Sequence, residues 1–298
     1  MENQEHSWKS SAELVVQGFE CIQEWMKKES DILGLDTGFE ELNRILSGFQ
    51  RGNVVMLGGR PAMGKTALMQ NIILNVAKQG YGVGVFSLAD STEQFILRLI
   101  CIKSSVSMID IRNGNVKKET DLPKIKEACE DTSTLPIFVQ DSSASADDIM
   151  ERARILKQEQ ANLGLIVVDY IGLITATNHM LSRSEVIAET SRKFKMLAKE
   201  LDVCVLVLSQ LNRSLEQRLD KRPILSDLRG SGALEQDADV ICFLYRDEYY
   251  NPQTPEKGQA EIIVAKQRNG PTGRIILQFE GQYLRFNNQN SDSSGDFF

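Results

Sequence analysis

The sequence is poor in the residues that build metal and redox centres. It holds two histidines, His6 and His179, and five scattered cysteines, Cys21, Cys101, Cys129, Cys204 and Cys242, with no C-x-x-C pair. Zinc sites need His and Cys clustered at short spacing, so this pattern argues against zinc chemistry. Several of the cysteines lie in apolar stretches and read as buried thiols of a reducing compartment rather than as disulfides. No apolar run approaches the roughly 20 residues that cross a bilayer. The polar start Met1-Glu2-Asn3-Gln4-Glu5-His6 lacks a basic-then-apolar leader pattern. These absences lead to the expectation of a cytoplasmic protein with no membrane partner. Positive charge is also in deficit, with 34 Lys and Arg against 41 Asp and Glu and a formal net charge of −7. The surface as a whole therefore does not attract nucleic acid, although a locally basic channel stays open. With 298 residues, 42% of them hydrophobic, the chain suits one large domain with room for an appendage.

Gly59-Arg60-Pro61-Ala62-Met63-Gly64-Lys65-Thr66 fits the phosphate-loop pattern G-x-x-x-x-G-K-[ST]. The apolar run 54–57 reads as the strand entering it and 67–76 as the helix leaving it. A helix N-terminus offers unpaired N–H groups and a positive dipole end to phosphate. Lys65 would reach the outer phosphates and Thr66 would hold Mg2+, while Gly58 and Gly59 would let the backbone approach the ligand. A nucleoside triphosphate is the implied ligand.

Short apolar segments at 83–86, 137–139, 165–168, 204–208 and 240–244 alternate with helical stretches. Their near-continuous apolar character predicts an α/β fold on a mostly parallel sheet buried on both faces. Segments 261–264 and 274–277 read as a hairpin around Asn269-Gly270-Pro271. Residues 10–28 have Leu14, Val15, Phe19, Ile22 and Met26 at helical spacing. This amphipathic helix either packs on its own domain or docks on a neighbouring subunit. Residues 287–298 read as a disordered polar tail, whose Asp296-Phe297-Phe298 end is either loose or a small docking tip.

Asp169 closes the apolar run 165–168. An acid at the end of a buried strand commonly completes a phosphate-loop site by holding Mg2+. Gln210 ends the next strong strand, where an amide can sense a γ-phosphate. The stretch 211–222 concentrates Arg213, Arg218, Lys221 and Arg222 against Glu216 and Asp220. It is either a solvated loop or a strip that lies along a phosphate backbone. Lys266 and Arg268 alternate along an extended segment and so point the same way. They are placed to neutralise a transferring phosphoryl group, within one chain or across an interface.

Taken together, these elements resemble the C-terminal motor domain of DnaB-type replicative helicases. The resemblance covers residues 32–286. It is carried by Thr37-Gly38-Phe39 before Ser47-Gly48-Phe49, by Arg60 to Ala67 in the phosphate loop, and by Phe86-Ser87-Leu88 and Val168-Asp169-Tyr170. It continues through Leu208-Ser209-Gln210-Leu211-Asn212-Arg213, Lys221-Arg222-Pro223, Ser226-Asp227-Leu228-Arg229, Glu235-Gln236-Asp237-Ala238-Asp239 and Lys266-Gln267-Arg268-Asn269-Gly270. The resemblance implies a RecA-like P-loop NTPase core with an N-terminal linker helix in residues 1–31. It implies a homo-oligomer, a hexameric ring with ATP and Mg2+ between subunits and single-stranded DNA in the channel. Gly59, Arg60, Pro61, Ala62, Met63, Gly64, Lys65, Thr66 and Ala67 then cradle the nucleotide, Thr66 and Asp169 hold the metal, and Gln210 senses the γ-phosphate. Lys266 and Arg268 reach into the neighbour's site, and the segments after Tyr170 and Gln210 touch DNA. The linker helix docks on the adjacent subunit, and a helicase loader or other replication proteins are implied partners.

Two positions depart from the family pattern, and its N-terminal helical domain is not matched. The family reads Phe-Ser-Leu-Glu after the second strand, where the Glu polarises the attacking water; here the residue is Ala89. Asp90 follows, but strand alternation would turn it to the other face and its side chain is shorter by one methylene. Losing a water-positioning group commonly slows the reaction by about 10²–10⁴. The expectation is therefore a helicase motor with intact nucleotide binding and weakened hydrolysis. A hydrolysis-deficient ATP-binding assembly or regulatory protein is the alternative, and a RecA-type ATPase acting on protein is a third reading. Gly230 stands where the family has a Glu.

Overall fold

Five apolar runs and the strand before the phosphate loop become the parallel part of one nine-stranded sheet. The computed structural model describes residues 8–27, 31–176, 180–228 and 231–289. The strands are β1 (Val54–Gly59), β2 (Gly82–Ser87), β3 (Ile137–Gln140), β4 (Leu163–Asp169), β5 (Cys204–Gln210), β6 (Val240–Tyr245), β7 (Gln259–Gln267), β8 (Gly273–Glu280) and β9 (Arg285–Asn288). They lie in the order β3-β2-β4-β5-β1-β6-β7-β8-β9. The first six pair in parallel, and β7, β8 and β9 add an antiparallel flank beyond β6. The helices are α1 (Ser11–Lys27), α2 (Glu40–Leu46), α3 (Lys65–Lys78), α4 (Thr92–Ser104), α5 (Met108–Asn113), α6 (Asp121–Ser133), α7 (Ala146–Glu159), α8 (Arg183–Leu201), α9 (Ser231–Asp237) and α10 (Asp247–Tyr250).

Alternation along the central strands feeds two cores. Val55 and Leu57, Leu165 and Val167, and Leu206 and Leu208 face α3 and its neighbours. Val54 and Met56, Ile166 and Val168, and Val205 and Val207 face α7, α8 and α9. Helices therefore cover both faces, which is why these strands read as unbroken apolar runs. The thiols of Cys204 and Cys242 are buried within β5 and β6.

Helix α1 and strand β9 bear on the sequence reading of the two flanking segments. Helix α1 forms over the expected stretch, but none of its residues is buried. Leu14, Val15, Phe19, Ile22 and Met26 are all at least half exposed, so the helix is not packed into its own domain. Strand β9 carries the sheet through Asn288, two residues into the stretch read as tail. Its anchor is Asn71 of α3, which accepts from the Phe286 N–H at 3.2 Å and donates to the Leu284 carbonyl at 3.0 Å. A short polar strand that pairs with β8 and is held by residues distant in sequence, such as Asn71, carries little periodic signal. The Asp296–Phe298 tip and Gly230 lie outside the described residues.

Two positions on α8 test which side of it holds the sheet. Phe194 is fully buried, whereas Met196 is mostly exposed. In urea unfolding, Phe194→Ala is expected to lose about 3–5 kcal/mol and Met196→Ala less than about 1 kcal/mol.

Candidate nucleotide site

Parallel register brings the C-terminal ends of β1, β2, β4 and β5 to one edge. Gly59 pairs with Gln210 and Ser87 with Asp169. Open α/β sheets bind ligands at this edge. It opens into a cavity of about 1090 Å³, floored by the phosphate loop and the start of α3. Ala89, Asp90 and Arg98 line it on the β2 side; Arg246, Phe279 and Leu284 line it on the β8–β9 side.

The loop is built so that α3 starts at the ligand. Gly64 adopts φ +97°, a left-handed turn that favours glycine, and Lys65 and Thr66 open the helix immediately after it. The Lys65 ammonium donates to the Arg60 carbonyl at 2.9 Å. Burial pushes its pKa down to about 8; nearby Asp169 opposes the shift and Arg60 adds to it. The Thr66 hydroxyl donates to Asp169 Oδ2 at 2.9 Å. Burial raises the Asp169 pKa, the Thr66 hydrogen bond lowers it, and the charge of Asp90 raises it further. A hydroxyl and a carboxylate this close are hard oxygen donors. They suit Mg2+, which takes its remaining ligands from water and substrate phosphate.

Pro61, Ala62, Gly64 and Ala67 line the cavity, whereas Met63 is buried in the core. A Cβ on Gly58 would come within 2.8 Å of the Phe243 ring, and one on Gly59 within 3.1 Å of the Lys65 stem. These glycines make room for packing and for the lysine rather than for the ligand. The Arg60 side chain also turns away. Its guanidinium donates to Glu216 Oε1 and to the Leu211 carbonyl, both at 2.8 Å, and fastens the loop after β5 to the phosphate loop. The Arg60 backbone carbonyl is the group that accepts from the Lys65 ammonium.

Gln210 lines the cavity, but Lys266 and Arg268 do not. Lys266 donates to the Glu235 and Ala238 carbonyls, the latter at 2.6 Å, and Arg268 donates to the Gln236 carbonyl at 2.9 Å. Both cap the C-terminal end of α9, where cations are favoured. In this placement neither side chain borders its own chain's phosphate-loop cavity.

The basic stretch after β5 is largely neutralised. Arg218 pairs with buried Asp227 at 2.7 Å, and Arg222 makes a two-pronged contact with buried Glu261 at 2.6 and 2.9 Å. Lys221 sits 5.6 Å over the Tyr250 ring. Arg218 and Arg222 therefore shape the loop instead of offering free charge, and Arg213 is exposed at the start of a 3₁₀ turn.

Several lining groups had no sequence signal. Arg246 stacks 4.3 Å over Phe279, joining the end of β6 to β8. Arg98 of α4 pairs with Asp90 at 3.1 Å. The expectation for Asp90 itself is corrected. Strand β2 ends at Ser87, and residues 88–90 bend. Alternation no longer applies there, and Ala89 and Asp90 line the same cavity.

Residues 34–288 match the DnaB-like helicase C terminal domain family. The chain is 42% identical over 285 residues to the replicative DNA helicase DnaB of Geobacillus stearothermophilus, covering 95% of this chain and 62% of that one. It is 45% identical over 260 residues to the Pasteurella multocida replicative DNA helicase DnaB, covering 86% of this chain and 56% of that one. It thus spans about three fifths of the length of these curated relatives. Among solved structures, one described as an ATPase domain superposes with a TM-score of 0.91 at 36% identity, covering 95% of this chain and all of that one. A DnaB-like replicative helicase, described with its interactions with primase, gives 0.87 at 36% identity, covering 95% and 68%. On these matches the chain belongs to the DnaB-like helicase C-terminal domain family, with its RecA-like ATPase fold.

Proposed function

We propose that this chain is the ATP-hydrolysing motor of a replicative DNA helicase, working in the cytoplasm as a hexameric ring on single-stranded DNA. The observation that carries the reading is the convergence of Lys65, Thr66, Asp169 and Gln210 at one sheet edge, in a chain related to DnaB helicases. The first-turn N–H groups of α3 bind phosphate oxygens, and the Lys65 ammonium neutralises the outer phosphates. Thr66 and Asp169 hold Mg2+, which offsets charge on the phosphates. Gln210 hydrogen-bonds the γ-phosphate, and its presence or loss passes into the loop that follows. Lys266 and Arg268 complete the site of the adjacent protomer; their absence from this chain's own cavity supports that role. The exposed apolar stripe of α1 supports docking on a neighbour. Arg213 and Lys221 contact the DNA backbone, while Arg218 and Arg222 hold the loop in shape. A helicase loader or other replication proteins are further partners. A structural neighbour's described interaction with primase adds that class.

The deciding experiment measures ATP hydrolysis with and without single-stranded DNA, with particle mass recorded alongside. The expected result is DNA-stimulated turnover by a ring. A monomer under every nucleotide condition, without DNA stimulation, would exclude this function.

Lys65 gives the site a pH signature. Its folded pKa is about 8, below the ordinary lysine value of 10.5. A bound triphosphate favours the charged form, so binding above about pH 8 must take up a proton, and affinity must fall by up to about tenfold per pH unit there. Titration calorimetry in buffers of different ionisation enthalpy should show this uptake near pH 9, and Lys65→Ala should abolish it. The same group makes the folded protein gain stability as pH rises from about 8 towards the ordinary lysine value, because the buried charge is relieved.

Mixed assemblies test the shared site. A protein carrying both Lys266→Ala and Arg268→Ala is expected to lose turnover by about 10³-fold. Mixed with Lys65→Ala subunits, it should regain activity, because some interfaces then combine an intact phosphate loop with intact cations. No recovery at any ratio would contradict action across subunits.

A further inference from the structure

We propose that Asp90 is the carboxylate that takes the proton of the attacking water in ATP hydrolysis, and that Arg98 is the positioning residue that holds it. The inference rests on the ATPase reading above and goes beyond it by naming the base. Phosphoryl transfer to water needs a group that orients the nucleophile and accepts its proton. Among the described residues, two carboxylates line the cavity, Asp90 and Asp169. Asp169 is engaged by the Thr66 hydroxyl and fits the metal role. The other polar groups there, such as Gln94, Gln210 and the arginines, are not proton acceptors at neutral pH. Asp90 remains.

Its position is well fixed. The bend after β2 is pinned by the Ser87 hydroxyl, which donates to the Asp90 carbonyl at 2.8 Å. The next residue, Ser91, caps α4 by accepting from the Gln94 N–H, and the Thr92 N–H donates to Asp141 at 2.8 Å. From nearly two turns into α4, Arg98 grips the Asp90 carboxylate at 3.1 and 3.3 Å. Ala89 beside it carries only a methyl group, leaving space for water. Asp90 and Arg98 keep side-chain exposures of 20% and 29%, so the carboxylate is reachable from the cavity. In the step itself, the water oxygen bonds to the γ-phosphorus. The bond to the β–γ bridging oxygen breaks, and its electron pair leaves on ADP. The water proton passes to Asp90 and then to solvent or the released phosphate.

The test compares wild type with Asp90→Asn, which keeps shape but not basicity. The readouts are DNA-stimulated turnover, affinity for a fluorescent ATP analogue, and thermal melting. Asp90→Asn is expected to lower kcat by about 10²-fold or more, within the usual range for a general base, with analogue affinity changed less than about threefold. Adding Ala89→Glu to Asp90→Asn should restore turnover, showing that the variant is folded and lacks only a base. Arg98→Ala should lower kcat without raising KM for ATP, and Arg98→Lys should recover part of the loss. Turnover of Asp90→Asn within about threefold of wild type would overturn the assignment and leave the pair structural. A wild type that binds the analogue but hydrolyses nothing, while Ala89→Glu alone does, would also overturn it and leave the motor reading standing. A wild type that binds no nucleotide would remove the motor reading itself.

Discussion

The parallel pairing of β1 with β5 and β6, and of β4 with β5 and β2, is the constraint on which the rest depends. Parallel strands end together, so loops from four strands separated by up to about 150 residues of sequence are delivered to one edge. Lys65, Asp169 and Gln210 meet because their strands are in register. The apolar alternation that sets the register also buries both faces, so stability and the placement of reactive groups have one origin.

Charge is organised on the same frame. Many of the cations that look available in the sequence already have partners. Arg60, Arg218 and Arg222 hold carboxylates with low exposure or backbone carbonyls, and Lys266 and Arg268 hold the end of a helix. A buried ion is costly unless it is paired and hydrogen-bonded, which accounts for the tight geometry of Arg222 on Glu261. Lys65 contrasts with these. It is mostly buried with only a carbonyl contact to its ammonium, so its charge is uncomfortable until an anion arrives.

Much of this is legible in the residues. Strands β1 to β6 announce themselves because burial on both faces leaves few polar interruptions, and the phosphate loop because its glycine and lysine spacing admits few other uses. Other features are hidden, for identifiable reasons. Strand β9 is short and polar and is held by Asn71, more than 200 positions away. Arg60 sits inside a ligand-binding motif yet serves the loop after β5, a distinction that spacing cannot express. Asp90 escapes the alternation rule because the strand stops at Ser87, before the rule would reach it. The loop arginines look like free charge in the sequence because their partners, Asp227 and Glu261, lie in later segments. Helix α1 shows its amphipathic pattern, but periodicity says nothing about which molecule supplies the other half of the contact.

The Arg60 latch makes the phosphate loop and the segment 211–217 parts of one mechanical element. Thermodynamic reciprocity then applies. Whatever factor by which a polymer gripping that segment tightens the hold on nucleotide, nucleotide must return to the polymer. The Arg60 guanidinium and the Leu211 N–H bond to the Gly59 carbonyl both tie that segment to the loop, so a ligand held by either one would be felt by the other.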